Sequence, residues 1–146
     1  MNNYSINEYV FDEIEIGHKE SFEETITVEM EDMFRIVSGD INPLHRNDQY
    51  ANTVSNGKYE KHVIFGMLTA SLLSRLAGVY LPGKYSLIHS IDIGFPKPVF
   101  VGDTLLVEGE VVDKQEGLNL ILVKVAVKNQ FQKIVAKGNM KVVVLK

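Results

Sequence analysis

At 146 residues, 45% hydrophobic and 23% charged, the chain has the makeup of one globular domain around one core, expected to span 1–146. A net charge of −4 with dispersed lysines and arginines leaves no basic stripe, so nucleic acid is not an expected partner. The absence of cysteine removes a disulfide framework, a thiolate nucleophile and a cysteine zinc site together.

The first twenty residues, rich in Asn, Glu and Tyr, lack the basic-then-apolar pattern of a signal peptide. Residues 20–28 alternate as a strand does and lead into a helix. There Met30, Met33, Phe34 and Val37 recur at helical spacing behind the acidic Glu29, Glu31 and Asp32. Ser38-Gly39-Asp40 ends that helix, and Asn42-Pro43 keeps the chain extended or turning. Residues 47–53 suit one or two helical turns.

Gly66 then opens the apolar run 67–81. Leu68, Leu72, Leu73, Leu76, Val79 and Tyr80 surround most of a helical circumference, which predicts a helix buried on nearly every side and stopped by Pro82-Gly83. Ser71, Ser74, Arg75 and two glycines within residues 63–81 argue against a membrane span, and a cytoplasmic protein is the expectation.

The remainder reads as strands. Leu87, His89, Ile91 and Ile93 are expected on one face; Leu105, Val107 and Val111 share another, opposite Glu108 and Glu110. The run 118–127 is apolar on both faces, as a central strand requires. Ile134, Ala136, Met140, Val142 and Val144 alternate with lysines and Asn139. A buried helix before an antiparallel meander predicts an α+β architecture, a sheet wrapped around that helix.

Chemistry concentrates between residues 34 and 51. Asp40 and His45 bracket Ile41-Asn42-Pro43-Leu44, a loop stiffened by proline. A carboxylate and an imidazole so placed can face one water and take and return its proton. The same residues also suit a simple turn, in which Asp and Asn side chains bond nearby backbone N–H groups. From spacing alone the turn is the simpler reading.

The segment Phe34-Arg35-Ile36-Val37-Ser38-Gly39-Asp40-Ile41-Asn42-Pro43-Leu44-His45, with Ala51 after a gap, resembles the hydratase signature of MaoC-like proteins. Gly66-Met67-Leu68-Thr69-Ala70-Ser71 resembles the start of that family's central hot-dog helix. Residues 95–104, FPKPVFVGDT, are similar to the segment after its second strand. The resemblance covers roughly residues 20–146. It implies a hot-dog fold and (R)-specific hydration of trans-2-enoyl-CoA, or the reverse dehydration, within fatty acyl metabolism.

By that resemblance Asp40 and His45 hold and activate a water, Asn42 supports them by hydrogen bonding, and the Gly66 N–H receives the thioester oxygen. Ser74 falls where relatives often have a serine lining the site, and Met67 follows Gly66 beside the substrate. Many relatives carry His before the Gly-Met pair, and here that residue is Phe65, a departure placed at the acyl pocket. The resemblance further implies a homodimer, an acyl-CoA or acyl-carrier-protein thioester as partner, and no cofactor or metal beyond the CoA of the substrate. Two alternatives stay open: a hot-dog thioesterase attacking the thioester carbon, and a non-catalytic acyl-CoA or acyl-carrier binding module.

Outside these blocks, His89 and Asp92 sit three apart on a strand, on opposite faces, which argues against a metal pair. His62 and His18 are expected to be solvated. Lys124, Lys128, Lys133 and Lys137 are expected on solvated strand faces, where one or two could meet CoA phosphates.

Overall fold

The computed structural model describes residues 5–146; residues 1–4, the start of the segment read as carrying no signal peptide, lie outside the described residues. In chain order come strand β1 (Lys19–Thr25), helix α1 (Val28–Ser38), helix α2 (Asp48–Val54) and helix α3 (Gly66–Arg75), which continues through a π-helical turn Leu76–Tyr80. Strands β2 (Ser86–Gly94), β3 (Thr104–Gln115), β4 (Leu120–Lys128) and β5 (Ile134–Val144) follow. The five strands form one antiparallel sheet in the order β1-β3-β4-β5-β2. This is the α+β arrangement expected from the sequence.

The two-sided apolar run becomes β4, which lies at the middle of the sheet, paired with β3 and β5. Its first residues depart from expectation. Leu118 belongs to a 3-10 turn and is exposed, so the strand starts at Leu120. Leu105, Val107 and Val111 of β3, Ile121, Val123 and Val127 of β4, and Met140 and Val142 of β5 are all fully buried. Helix α3 lies against this inner face with Leu72, Leu73 and Leu76 in the same core. Gly109 makes that approach possible: a Cβ there would come within 2.9 Å of Leu76 Cδ2 and 3.0 Å of Val123 Cγ1. Interiors packed at crystal-like density leave no room for such an atom.

Three expectations need correction. Helix α1 begins where Thr27 Oγ1 accepts the Met30 N–H at 3.2 Å and ends at Gly39, whose φ of 70° is the left-handed conformation glycine adopts freely. Only Met30 and Phe34, one turn apart, pack against the core; Met33 is 59% exposed and Ile36 and Val37 are each 83% exposed. Their helical spacing overstated the buried stripe.

Helix α3 is likewise not enclosed. Met67, Ser71 and Ser74, at i, i+4 and i+7, form an exposed line along it. The sheet covers only the side that carries the leucines.

In β2 the register against β5 shifts between Ile88 and Ser90, leaving His89 unpaired in a bulge. Ile88 and Ile91 then sit opposite the buried Val142 and Met140, though Ile91 stays 42% exposed, while Leu87 is exposed on the outer side. Leu87 and Ile91, read as one face, are separated by that extra residue.

Candidate active site

The loop after α1 is folded by the side chains that strict turn chemistry would select. Asp40 Oδ1 accepts the Asn42 N–H at 3.0 Å, and Asn42 Oδ1 accepts the Leu44 N–H at 2.9 Å. Pro43 opens the 3-10 turn Pro43–His45, and its carbonyl accepts the Asn47 N–H at 2.8 Å. The turn reading therefore holds, and it does not exclude the functional one. One oxygen of Asp40 builds the turn and leaves the other free.

That second oxygen, Oδ2, lies 3.8 Å from His45 Nε2. The gap is too long for a direct hydrogen bond. It is short enough for one water to bond both groups. The other ring nitrogen, Nδ1, is 2.9 Å from the Val63 carbonyl oxygen. A carbonyl only accepts, so Nδ1 carries the hydrogen, and in the neutral ring Nε2 then presents its lone pair on the side of Asp40.

His45 is held from three directions. Its ring packs on Phe65 with centroids 4.4 Å apart, and Phe65 packs in turn on Phe34 at 5.0 Å. Arg35, anchored to Asp32 at 2.8 Å, donates from Nη2 to the His45 carbonyl at 3.3 Å. Arg35 lies inside the signature segment, yet its spacing from His45 gave no sign of this bond.

His45 and Gly66 line one pocket of about 300 Å³. Tyr59, Thr69, Phe95 and Val99 are also on its wall. Gly66 is the first residue of α3, and no side chain caps that helix start. Its N–H belongs to the first turn, whose donors have no intrahelical acceptor and sit at the positive end of the dipole. The Phe95 ring covers the glycine: a Cβ at Gly66 would meet ring carbons at 3.5 to 3.6 Å. The composition of residues 95–104 did not single out Phe95, because only the fold returns this loop to the helix start.

The structure thus places Asp40 beside His45, and His45 with Gly66 on one pocket wall that Asp40 itself does not line; the four other sequence candidates are placed differently. The Asn42 side chain is committed to the turn, so its contact with the pair runs through its backbone N–H to Asp40. Phe65 is 2% exposed and stands behind His45, not on the pocket wall. Met67 and Ser74 lie on the exposed line of α3, outside the pocket lining.

The remaining candidates settle as follows. His89 is exposed at the bulge beside Ser90, and no group of three His, Cys, Asp or Glu side chains suited to a metal occurs among the described residues. Lys124, Lys133 and Lys137 are exposed, whereas Lys128 pairs with Glu108 at 3.0 Å. The two histidines expected in solvent are not there. His18 Nε2 lies 3.2 Å from Glu20 with its ring edge-on to Tyr9, and His62 sits between Glu31 and Asp48. No described helix is long and apolar enough to cross a membrane.

Comparison with known proteins agrees with this geometry. The family model described as "MaoC like domain" matches residues 12–133. The chain is 37% identical over 103 residues to an (R)-specific enoyl-CoA hydratase of Aeromonas caviae, covering 70% of this chain and 75% of that protein. It is 31% identical over 103 residues to a 3-hydroxybutyryl-CoA dehydratase of Methylorubrum extorquens, covering 70% of this chain but 64% of that protein. Among solved structures, an unliganded R-hydratase of Pseudomonas aeruginosa superposes with a TM-score of 0.86 at 30% identity, over 95% of this chain and 87% of the other.

Proposed function

Because the chain belongs to the MaoC-like domain family and has the hot-dog fold of the R-hydratases it resembles, we propose that it is a hydro-lyase acting on acyl thioesters. Its reaction is the addition of water to a trans-2-enoyl-CoA to give the (R)-3-hydroxyacyl-CoA, and the reverse dehydration. The observation that carries this reading is the 3.8 Å separation of Asp40 Oδ2 from a His45 Nε2 left free by the Val63 bond, beside the open start of α3.

Water held between the two groups loses a proton to the pair as its oxygen bonds to C3. The electrons of the double bond move toward the thioester, whose oxygen gains negative charge. The Gly66 N–H stabilises that oxygen, and the pair returns a proton to C2 on the same side. Water is added whole, as hydroxyl at C3 and hydrogen at C2. The reaction so written needs no metal or cofactor; CoA, or an acyl carrier protein in its place, carries the acyl group. Chain length is left to the pocket wall formed by Tyr59, Thr69, Phe95 and Val99.

Crotonyl-CoA provides the test. Loss of the conjugated thioester absorbance without release of thiol, yielding the (R)-3-hydroxy product, supports hydration. Thiol release would replace this reading with thioester hydrolysis, and tight binding without either signal would replace it with a binding role.

The active unit in this reading is a homodimer in the cytoplasm. Support for pairing comes from the exposed apolar residues Ile36, Val37 and Ile41, and from Met67 on the uncovered line of α3. A chain that exposes such residues gains by covering them. A monomeric mass by light scattering at micromolar concentration would refute the dimer, and fractionation of the producing cell checks the location.

Phe65→His is expected to lower hydration and not to raise it. The Phe65 ring is the surface against which His45 rests, and a buried imidazole there has no described polar partner, at a cost of about 1–3 kcal/mol. Thermal melting and the crotonyl-CoA assay together check this; a faster and equally stable variant would contradict it.

A further inference from the structure

His62 lies outside the pocket, and the chemistry above makes no use of it. It is nevertheless among the most constrained side chains in the molecule. Its Nε2 is 2.8 Å from Glu31 Oε1 on α1, and its Nδ1 is 2.6 Å from Asp48 Oδ1 on α2. Its backbone N–H donates to the same Asp48 oxygen at 2.8 Å. Carboxyl oxygens therefore engage both ring nitrogens and hold the imidazole at both edges. Glu31 is 3% exposed, and His62 supplies its ion-pair partner. The N–H groups of His62, backbone first and ring second, hold the exposed Asp48 carboxyl below its ordinary range.

The next residue along is the one that orients His45. Val63 donates its N–H to the Leu44 carbonyl at 3.1 Å and accepts the His45 Nδ1–H at 2.9 Å. Ile64 then bonds the Val99 carbonyl at 2.8 Å, and Gly66 begins α3. Residues 62–66 thus form one short strap. One end is pinned by His62, the middle carries the carbonyl that sets the His45 tautomer, and the far end is the helix start on the pocket.

We propose that His62 is a positioning residue for the reaction described above: clamped between Glu31 and Asp48, it fixes the strap so that the Val63 carbonyl keeps His45 with Nδ1 protonated and Nε2 aimed at Asp40. The inference rests on the hydratase reading for its kinetic consequence but not for its structural one. Releasing the clamp leaves the wall formed by Tyr59, Thr69, Phe95 and Val99 in place and lets the Val63 carbonyl shift. Displacements of this size at a reacting group lower turnover far more than they lower binding.

The experiment uses His62→Ala, with Asp48→Ala as a second variant that keeps the buried Glu31 paired to His62. In each, kcat and KM for crotonyl-CoA are measured beside imidazole nitrogen NMR of protein labelled at histidine. Expected for His62→Ala are a kcat about tenfold lower, a KM changed by less than about twofold, and His45 resonances moving from the pure Nδ1–H form toward a mixture. Asp48→Ala should move the same quantities in the same direction by less. If His62→Ala does not fold, Asp48→Ala carries the decision alone. Unchanged kcat together with an unchanged His45 tautomer in a folded variant overturns the proposal. If the wild-type protein does not hydrate any enoyl thioester, the functional reading fails, and the tautomer of His45 still decides whether His62 positions it.

Discussion

Asp40→Asn should reduce hydration of crotonyl-CoA by about 10² to 10⁴ in kcat while leaving the protein folded. The expectation follows from the division of labour within one carboxylate. Oδ1 accepts the Asn42 N–H and builds the turn, and the amide oxygen of asparagine can accept the same bond. Oδ2 faces His45 Nε2 across 3.8 Å, and there the amide presents an N–H group instead. That group cannot take a proton from water. It can also donate to the Nε2 lone pair, so both members of the pair are lost to a single exchange. Because Asp40 is exposed, little stability should change, within about 0.5 kcal/mol. Denaturation in urea beside steady-state kinetics separates the two effects. Retention of more than about a tenth of the wild-type kcat would mean that water is activated elsewhere.

Gly66→Pro should cost about 10² to 10³ in kcat by deleting one N–H where the thioester oxygen becomes charged. Proline is tolerated in the first turn of a helix, since the hydrogen it lacks has no intrahelical partner there. It also restricts the preceding residue to extended conformations. Phe65 already has φ −53° and ψ 123°, so the substitution asks no change of the backbone before it. Gly66→Ala serves as the control. Its added carbon meets the Phe95 ring at 3.5 Å, an ordinary contact, and the N–H remains. A proline variant as fast as the alanine variant would show that the oxyanion is received by another donor.

What could be read from the sequence followed its periodicities. Strict alternation located β3 and β5 and named the buried residues of β3, and two-sided apolarity picked out β4 as the middle strand. At the start of β5 alternation marked Ile134, which is 37% exposed, in place of the buried Val135, because the pairing with β4 shifts there. Local chemistry was legible too, since the Asp40 and Asn42 bonds span only two residues each. Periodicity misled where the fold breaks it or does not cover it. The bulge at His89 exchanges the faces of β2 on its two sides. Helices α1 and α3 each keep apolar or small residues in solvent, because the sheet covers one side only. Contacts across 10, 18 or 31 residues left no local trace at all: Arg35 with the His45 carbonyl, His45 with Val63, Glu31 with His62. Those contacts orient the groups proposed to act, whereas Asp40, His45 and Gly66 themselves were marked by resemblance.

The strand order has a consequence for how the molecule comes to exist. The inner three strands, β3, β4 and β5, are consecutive in the chain and form a meander of local pairings. Both outer strands come from earlier in the sequence and find their partners only in this meander: Lys19 with Glu110, and Ser86 with Val144. Closing such long loops is slow, because the entropy is lost before the contacts are made. On the ribosome, residues 19–94 emerge with no completed sheet to join, and the leucines of α3 have nothing to cover them. The turn at Asp40 and most of the pocket wall come from residues 40–99, but the wall is complete only with Val135, which lies in the final strand.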